Sequence, residues 1–90
     1  MSAPGRLRDG EPIELVGYDG KLLRLVCARA MAPGQPLEVR AELTSPVEIR
    51  GKAVGSKKRD DGRFDVRARL VNLRREVREQ LTGMLGDGTG

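Results

Sequence analysis

Val47-Glu48-Ile49-Arg50-Gly51-Lys52-Ala53-Val54 alternates apolar and polar residues, the period of a strand with one buried face. Phe64-Asp65-Val66-Arg67-Ala68-Arg69-Leu70 repeats the alternation. Between them, the polar run Gly55 to Gly62 ends in Asp61-Gly62, a pair that favours a turn with positive φ. The two runs therefore predict a β-hairpin. Asn72 then stands where a helix N-cap belongs, and Leu73, Val77, Leu81, Met84 and Leu85 follow at helical spacing. The hairpin is thus predicted to feed straight into an amphipathic helix.

Upstream of this stretch the same reading gives three more strands. Pro12 to Val16 points Ile13 and Leu15 to one face, and Leu22 to Cys27 is denser in apolar residues, as suits a central strand. Leu37 to Leu43 turns Leu37, Val39, Ala41 and Leu43 inward and Glu38, Arg40 and Glu42 outward. Gly17-Tyr18-Asp19-Gly20 and Pro33-Gly34 punctuate them as turns. Five strands with short turns and one terminal helix imply a mainly β fold: a small antiparallel barrel-like sheet whose C-terminal α-helix closes an open end or covers an edge. Residues 1–10 read as a flexible polar leader, 11–85 as a single domain and 86–90 as a disordered tail.

The ninety residues can bury one modest core, and with one Phe, one Tyr and no Trp that core must be aliphatic. The apolar runs are too short for a transmembrane span. The N-terminus lacks the apolar segment of a secretory signal. A lone cysteine, Cys27, cannot form an internal disulfide, and a reducing cytoplasm is the simplest home. The absence of His removes the commonest general base and metal ligand, and Cys27 has no partner to activate it. The expectation is a chain that is not an enzyme, with no metal and no cofactor.

Charge is distributed unevenly. Residues 1–49 carry six basic against seven acidic side chains, whereas residues 50–78 carry eleven against four. The hairpin and the start of the helix are thus a basic module that attracts phosphates, nucleic acid, an acidic protein surface or anionic lipid. Arg74 and Arg75 fall in the first helical turn, where the helix dipole disfavours cations.

The loop and strand Met31-Ala-Pro-Gly-Gln-Pro-Leu-Glu-Val39, the strand Val47 to Val54, the strand Gly62 to Leu70 and the helix after Val71-Asn72-Leu73 resemble a PilZ domain over about residues 13–85. The resemblance implies a six-stranded barrel, and many members of that family bind cyclic di-GMP. An Arg-x-x-x-Arg segment there clamps the phosphates, and an Asp/Asn-x-Ser-x-x-Gly segment meets the base. Here the second motif falls on Gly17 to Leu22, with Gly17 in place of the acid, Asp19 in place of the Ser and Leu22 in place of the Gly. Only Arg6 and Arg8, two residues apart, stand upstream. By this resemblance the chain is a PilZ-like barrel without its first strand and without its ligand clamp.

Three functions follow, in order. The first is a non-enzymatic adaptor in a bacterial cyclic di-GMP-related signalling pathway. It would act by protein–protein contact through Arg50, Lys52, Arg63, Arg67, Arg69, Arg74 and Arg78, with a sheet edge left open for a partner or a second copy as a homodimer. The second is a direct cyclic di-GMP receptor with a rearranged site built from Arg6, Arg8 and Asp19. The third is a basic barrel binding nucleic acid, against which the scarcity of aromatics counts.

Overall fold

The computed structural model describes residues 3–43 and 45–86. Six strands form a closed antiparallel barrel: β1 (Ala3–Leu7), β2 (Pro12–Tyr18), β3 (Leu22–Cys27), β4 (Pro36–Glu42), β5 (Pro46–Lys58) and β6 (Phe64–Val71), followed by α1 (Arg75–Leu85). Around the barrel the order is β1-β2-β3-β6-β5-β4, every neighbour antiparallel, with β1 closing against β4. The mainly β barrel with a C-terminal helix is therefore what the alternating runs encode.

Several readings are corrected. The segment read as a flexible leader contains β1, which pairs Ala3 with Leu15 on one side and Gly5 with Ala41 on the other. Consequently the barrel has no missing first strand and no open edge between β2 and β4. The strand escapes a hydrophobicity scan because two of its three inward residues are small. Ala3, Gly5 and Leu7 are buried, while Pro4 and Arg6 face solvent. Gly5 has a reason to be small, since a Cβ there would stand 3.0 Å from the Arg40 carbonyl oxygen.

The hairpin is also longer than its hydrophobic pattern. Gly55 to Lys58 continues β5 as a paired strand, Gly55 facing Arg67 and Lys58 facing Phe64, so the reversal shrinks to Arg59–Arg63 with Gly62 at φ 87°. Backbone pairing holds this polar extension. The Ser56 hydroxyl fastens it to the loop before β4, accepting from the Met31 N–H and donating to the Met31 carbonyl, both at 3.1 Å. A β-bulge at Val54 breaks the β5–β6 register between Ala53 and Gly55. A second bulge in β2 shifts register between Leu15 and Gly17. Such bulges bend strands, as closing a small barrel demands.

Strand direction defines two ends. The starts of β1, β3 and β5 and the ends of β2, β4 and β6 lie together, and α1 covers this end with Val77, Leu81 and Leu85 buried in the common core. Leu81 is fully buried, together with Leu15, Leu23 and Leu25 from the barrel wall. Full burial of one such side chain stabilises by about 1.5–3 kcal/mol. Tyr18 is buried against the helix end, its hydroxyl donating to the Gly20 carbonyl at 3.1 Å. It also bridges to Gly86 just beyond the helix.

Asn72 is not the N-cap. It adopts φ 51°, the left-handed conformation Asn tolerates, and so redirects the chain from β6 into α1. Arg74 is the N-cap, without a side-chain capping bond. Of the segment 86–90, read as a disordered tail, Gly86 is instead ordered as the helix C-cap, its N–H donating to the Thr82 carbonyl, and residues 87–90 lie outside the described residues.

Candidate functional site

The outer surface of β3, β6 and β5 gathers most of the basic strand residues. Directly opposed across the ladders are Leu22 and Arg69, Arg24 and Arg67, Arg50 and Val71, and Lys52 and Arg69. Lys52 against Arg69 is a like-charge pair, an arrangement that destabilises a sheet. Among the described residues, Lys52, Arg67 and Arg69 have no carboxylate partner.

Elsewhere, among the described residues, six arginines are paired with carboxylates. Arg50 meets Glu38 at 3.5 Å, Arg8 meets the same carboxylate at 3.7 Å, and Arg40 meets Glu48 at 3.5 Å. In the hairpin turn Arg63 is held by Asp61 at 3.1 Å and reaches Glu14 at 4.0 Å. Arg59 binds Asp65 at 3.0 Å, which raises its already high pKa. At the end of the barrel away from the helix, Arg29 pairs with Asp9 at 2.6 Å and with Glu11 at 3.7 Å.

The seven cations expected to form one partner surface therefore divide. Lys52, Arg67 and Arg69 form the uncompensated centre. Arg50 and Arg63 are spent on carboxylates. Arg74 and Arg78 project from the helix start into two clefts that flank the centre. One cleft, about 520 Å³, is lined by Arg50, Val71, Asn72 and Arg74, among others. The other, about 470 Å³, is lined by Lys21, Val54, Arg69, Asn72 and Arg78 together with the Tyr18–Leu22 turn.

The residues expected to form a cyclic di-GMP site do not come together. Arg6 lies in β1 opposite Pro12, six residues along β2 from Tyr18, about 20 Å at the rise of a strand. Its guanidinium donates to the Gly10 carbonyl, and Arg8 is paired with Glu38. Asp19 sits at the other end of the barrel. There its carboxylate accepts the Leu22 N–H at 2.7 Å and the Lys21 N–H at 2.8 Å, which lowers its pKa below the usual value. That carboxylate shapes the β2–β3 turn.

Cys27 is buried at the end of β3, its thiol donating to the Arg29 carbonyl at 2.9 Å, and burial pushes its pKa up. Among the described residues no cluster of His, Cys, Asp or Glu could hold a metal ion, and no helix is long and apolar enough to cross a membrane.

Four contributors went unread in the sequence: Lys21, Arg24, Val54 and Val71. Val54 and Val71 are 40% and 42% exposed, the two large hydrophobic side chains most open to solvent among the described residues. The signal that finds them is internal. Arg50-Gly-Lys52-Ala-Val54 and Arg67-Ala-Arg69-Leu-Val71 are both cation-x-cation-x-Val.

No family model matches the chain, and neither does any curated protein or solved structure.

Proposed function

We propose that the chain is a non-enzymatic adaptor that works by protein–protein contact through the outer face of β3, β6 and β5. The observation that carries this reading is the Lys52–Arg69 pair, two like charges held face to face without a carboxylate partner among the described residues. Neighbouring positions of the same sheet alternate in sign, Glu38 facing Arg50 and Arg40 facing Glu48. A surface that sets like charges face to face, Lys52 with Arg69 and Arg24 with Arg67, while opposite charges face each other on the neighbouring strands, is suited to an anionic partner.

The PilZ resemblance extends the proposal to a cyclic di-GMP-related signalling pathway. A closed six-stranded barrel is the architecture that resemblance implies, and it supports the extension without carrying it. Direct reception of the dinucleotide is the weaker reading. Arg6 and Arg8 lie far from Asp19, and the Asp19 carboxylate is already engaged by two backbone N–H groups.

Two measurements test the proposal. Titration calorimetry with cyclic di-GMP is expected to give no heat at tens of micromolar ligand; micromolar binding would overturn the adaptor reading in favour of the receptor. The immobilised chain is expected to retain a protein from a lysate of its own cells. The Arg67→Glu/Arg69→Glu variant should lose that protein and Arg40→Glu should keep it. Equal retention by both variants would remove the basic face from the account.

A further inference from the structure

The two cation-x-cation-x-Val runs are brought together by the ladder in a particular way. They lie antiparallel with Lys52 facing Arg69, so each central cation opposes the other. Arg50 then faces Val71 at one end of the array, and at the other end Gly55, the residue after Val54, faces Arg67. The local two-fold axis of an antiparallel pair thus relates one run approximately to the other. Four cations occupy the array, with an exposed valine at each of two opposite corners. The bulge at Val54 distorts the repeat while leaving the valine exposed on the surface.

Each valine also lies in a cleft with an arginine of the helix. Val71 lines the cleft shared with Arg50 and Arg74, and Val54 lines the cleft shared with Arg69 and Arg78. Apolar surface and positive charge are therefore interleaved at both corners: beside Val54 with Arg69 and Arg78, and beside Val71 with Arg74, where Arg50 is already paired with Glu38 and Glu48 also lines the cleft. A phosphodiester backbone can answer the charge but has no aliphatic group to cover a valine. A carboxylate-bearing polypeptide can answer both.

We infer that the occupant of this face is an acidic segment of a partner protein in which Asp or Glu side chains are interleaved with aliphatic ones. The carboxylates lie on Lys52, Arg67 and Arg69, and the aliphatic side chains cover Val54 and Val71. This inference rests on the adaptor reading and specifies its partner.

The test is a titration of the full chain, followed by backbone amide NMR, with an acetylated peptide of repeated Glu-Glu-Val. A matching peptide of repeated Glu-Glu-Ser and a short DNA duplex serve as comparisons, each at low and at physiological salt. The expected result is that Glu-Glu-Val shifts amides in 50–55 and 67–78 and binds about five- to tenfold more tightly than Glu-Glu-Ser. The preference should vanish in the Val54→Ser/Val71→Ser variant, whose exposed substitutions leave the fold intact by circular dichroism. Equal affinity for the two peptides, tighter binding of the duplex, or shifts confined to other faces would overturn the inference. If the peptides fail while the captured protein still depends on Arg67 and Arg69, the partner chemistry is wrong and the adaptor reading stands. If both fail, the face is not a binding surface.

Discussion

Lys52 on β5 stands directly opposite Arg69 on β6, and among the described residues neither has a carboxylate to neutralise it. Two residues earlier along β5, Arg50 is matched to Glu38 of β4. Opposite charges across a ladder contribute roughly 0.2–1 kcal/mol each, and like charges oppose folding by a similar amount. The substitution Lys52→Glu converts repulsion into attraction. Chemical denaturation is expected to show a variant more stable by about 0.5–1 kcal/mol, with an unchanged denaturant slope.

Glycine substitutions separate backbone from side-chain crowding. A Cβ on Gly51 would lie 2.5 Å from the Arg69 carbonyl oxygen, part of the barrel wall that cannot yield. A Cβ on Gly17 would meet the Arg24 guanidinium, the far end of a flexible side chain. Gly51→Ala is therefore expected to cost about 1–3 kcal/mol and Gly17→Ala well under about 1 kcal/mol. Thermal unfolding of the two variants side by side checks the difference.

Barrel closure and the helical cover can be tested separately. Deletion of residues 1–8 removes β1 and leaves β2 and β4 each with an unpaired edge. Size-exclusion chromatography is expected to show association or aggregation of the truncated chain. Leu81→Ala empties a fully buried position on the helix and is expected to cost about 2–5 kcal/mol in denaturation while the elution volume stays that of the unaltered chain.

Acid sensitivity follows from turn carboxylates. Asp19 is held below its ordinary pKa by the Leu22 and Lys21 N–H groups, Asp61 by the Arg63 N–H, and Asp9 by the Glu11 N–H and then by Arg29. A group whose pKa is lower folded than unfolded stabilises the fold in full above its unfolded value. That contribution is lost as the pH falls through the folded value. Stability is thus expected to be flat above the ordinary carboxylate value of 3.8 for these groups and to decline below it. Asp19→Asn should make that decline shallower, as read by thermal unfolding across the acid range.

The sequence was legible wherever large apolar side chains alternate or recur. Ile13 and Leu15, Leu23 and Leu25, Leu37 and Val39, Ile49, Val66 and Leu81 all occupy the core. It was silent where small residues fill a tight barrel, as at Ala3 and Gly5, and where backbone pairing and one side-chain hydroxyl, rather than apolar burial, hold a polar strand, as at Ser56 to Lys58. For the candidate surface, residue type identified the cations but not their compensation. That Glu38 neutralises Arg50 depends on β4 pairing with β5, and that Glu14 reaches Arg63 depends on the barrel bringing β2 near the hairpin. Val54 and Val71 fall on the outward side of the alternation, after Ala53 and Leu70, where a polar residue is the usual occupant.

The most direct test of the account measures one variant twice. For Lys52→Glu, the melting temperature and the affinity for the Glu-Glu-Val peptide are determined beside those of the unaltered chain. Opposite movements are expected: a higher melting temperature, because a repulsive pair becomes attractive, and an affinity lower by at least about tenfold, because the centre of the anion-binding face is reversed. An affinity that stays the same, whatever the melting temperature does, would contradict the claim that this face is the working surface.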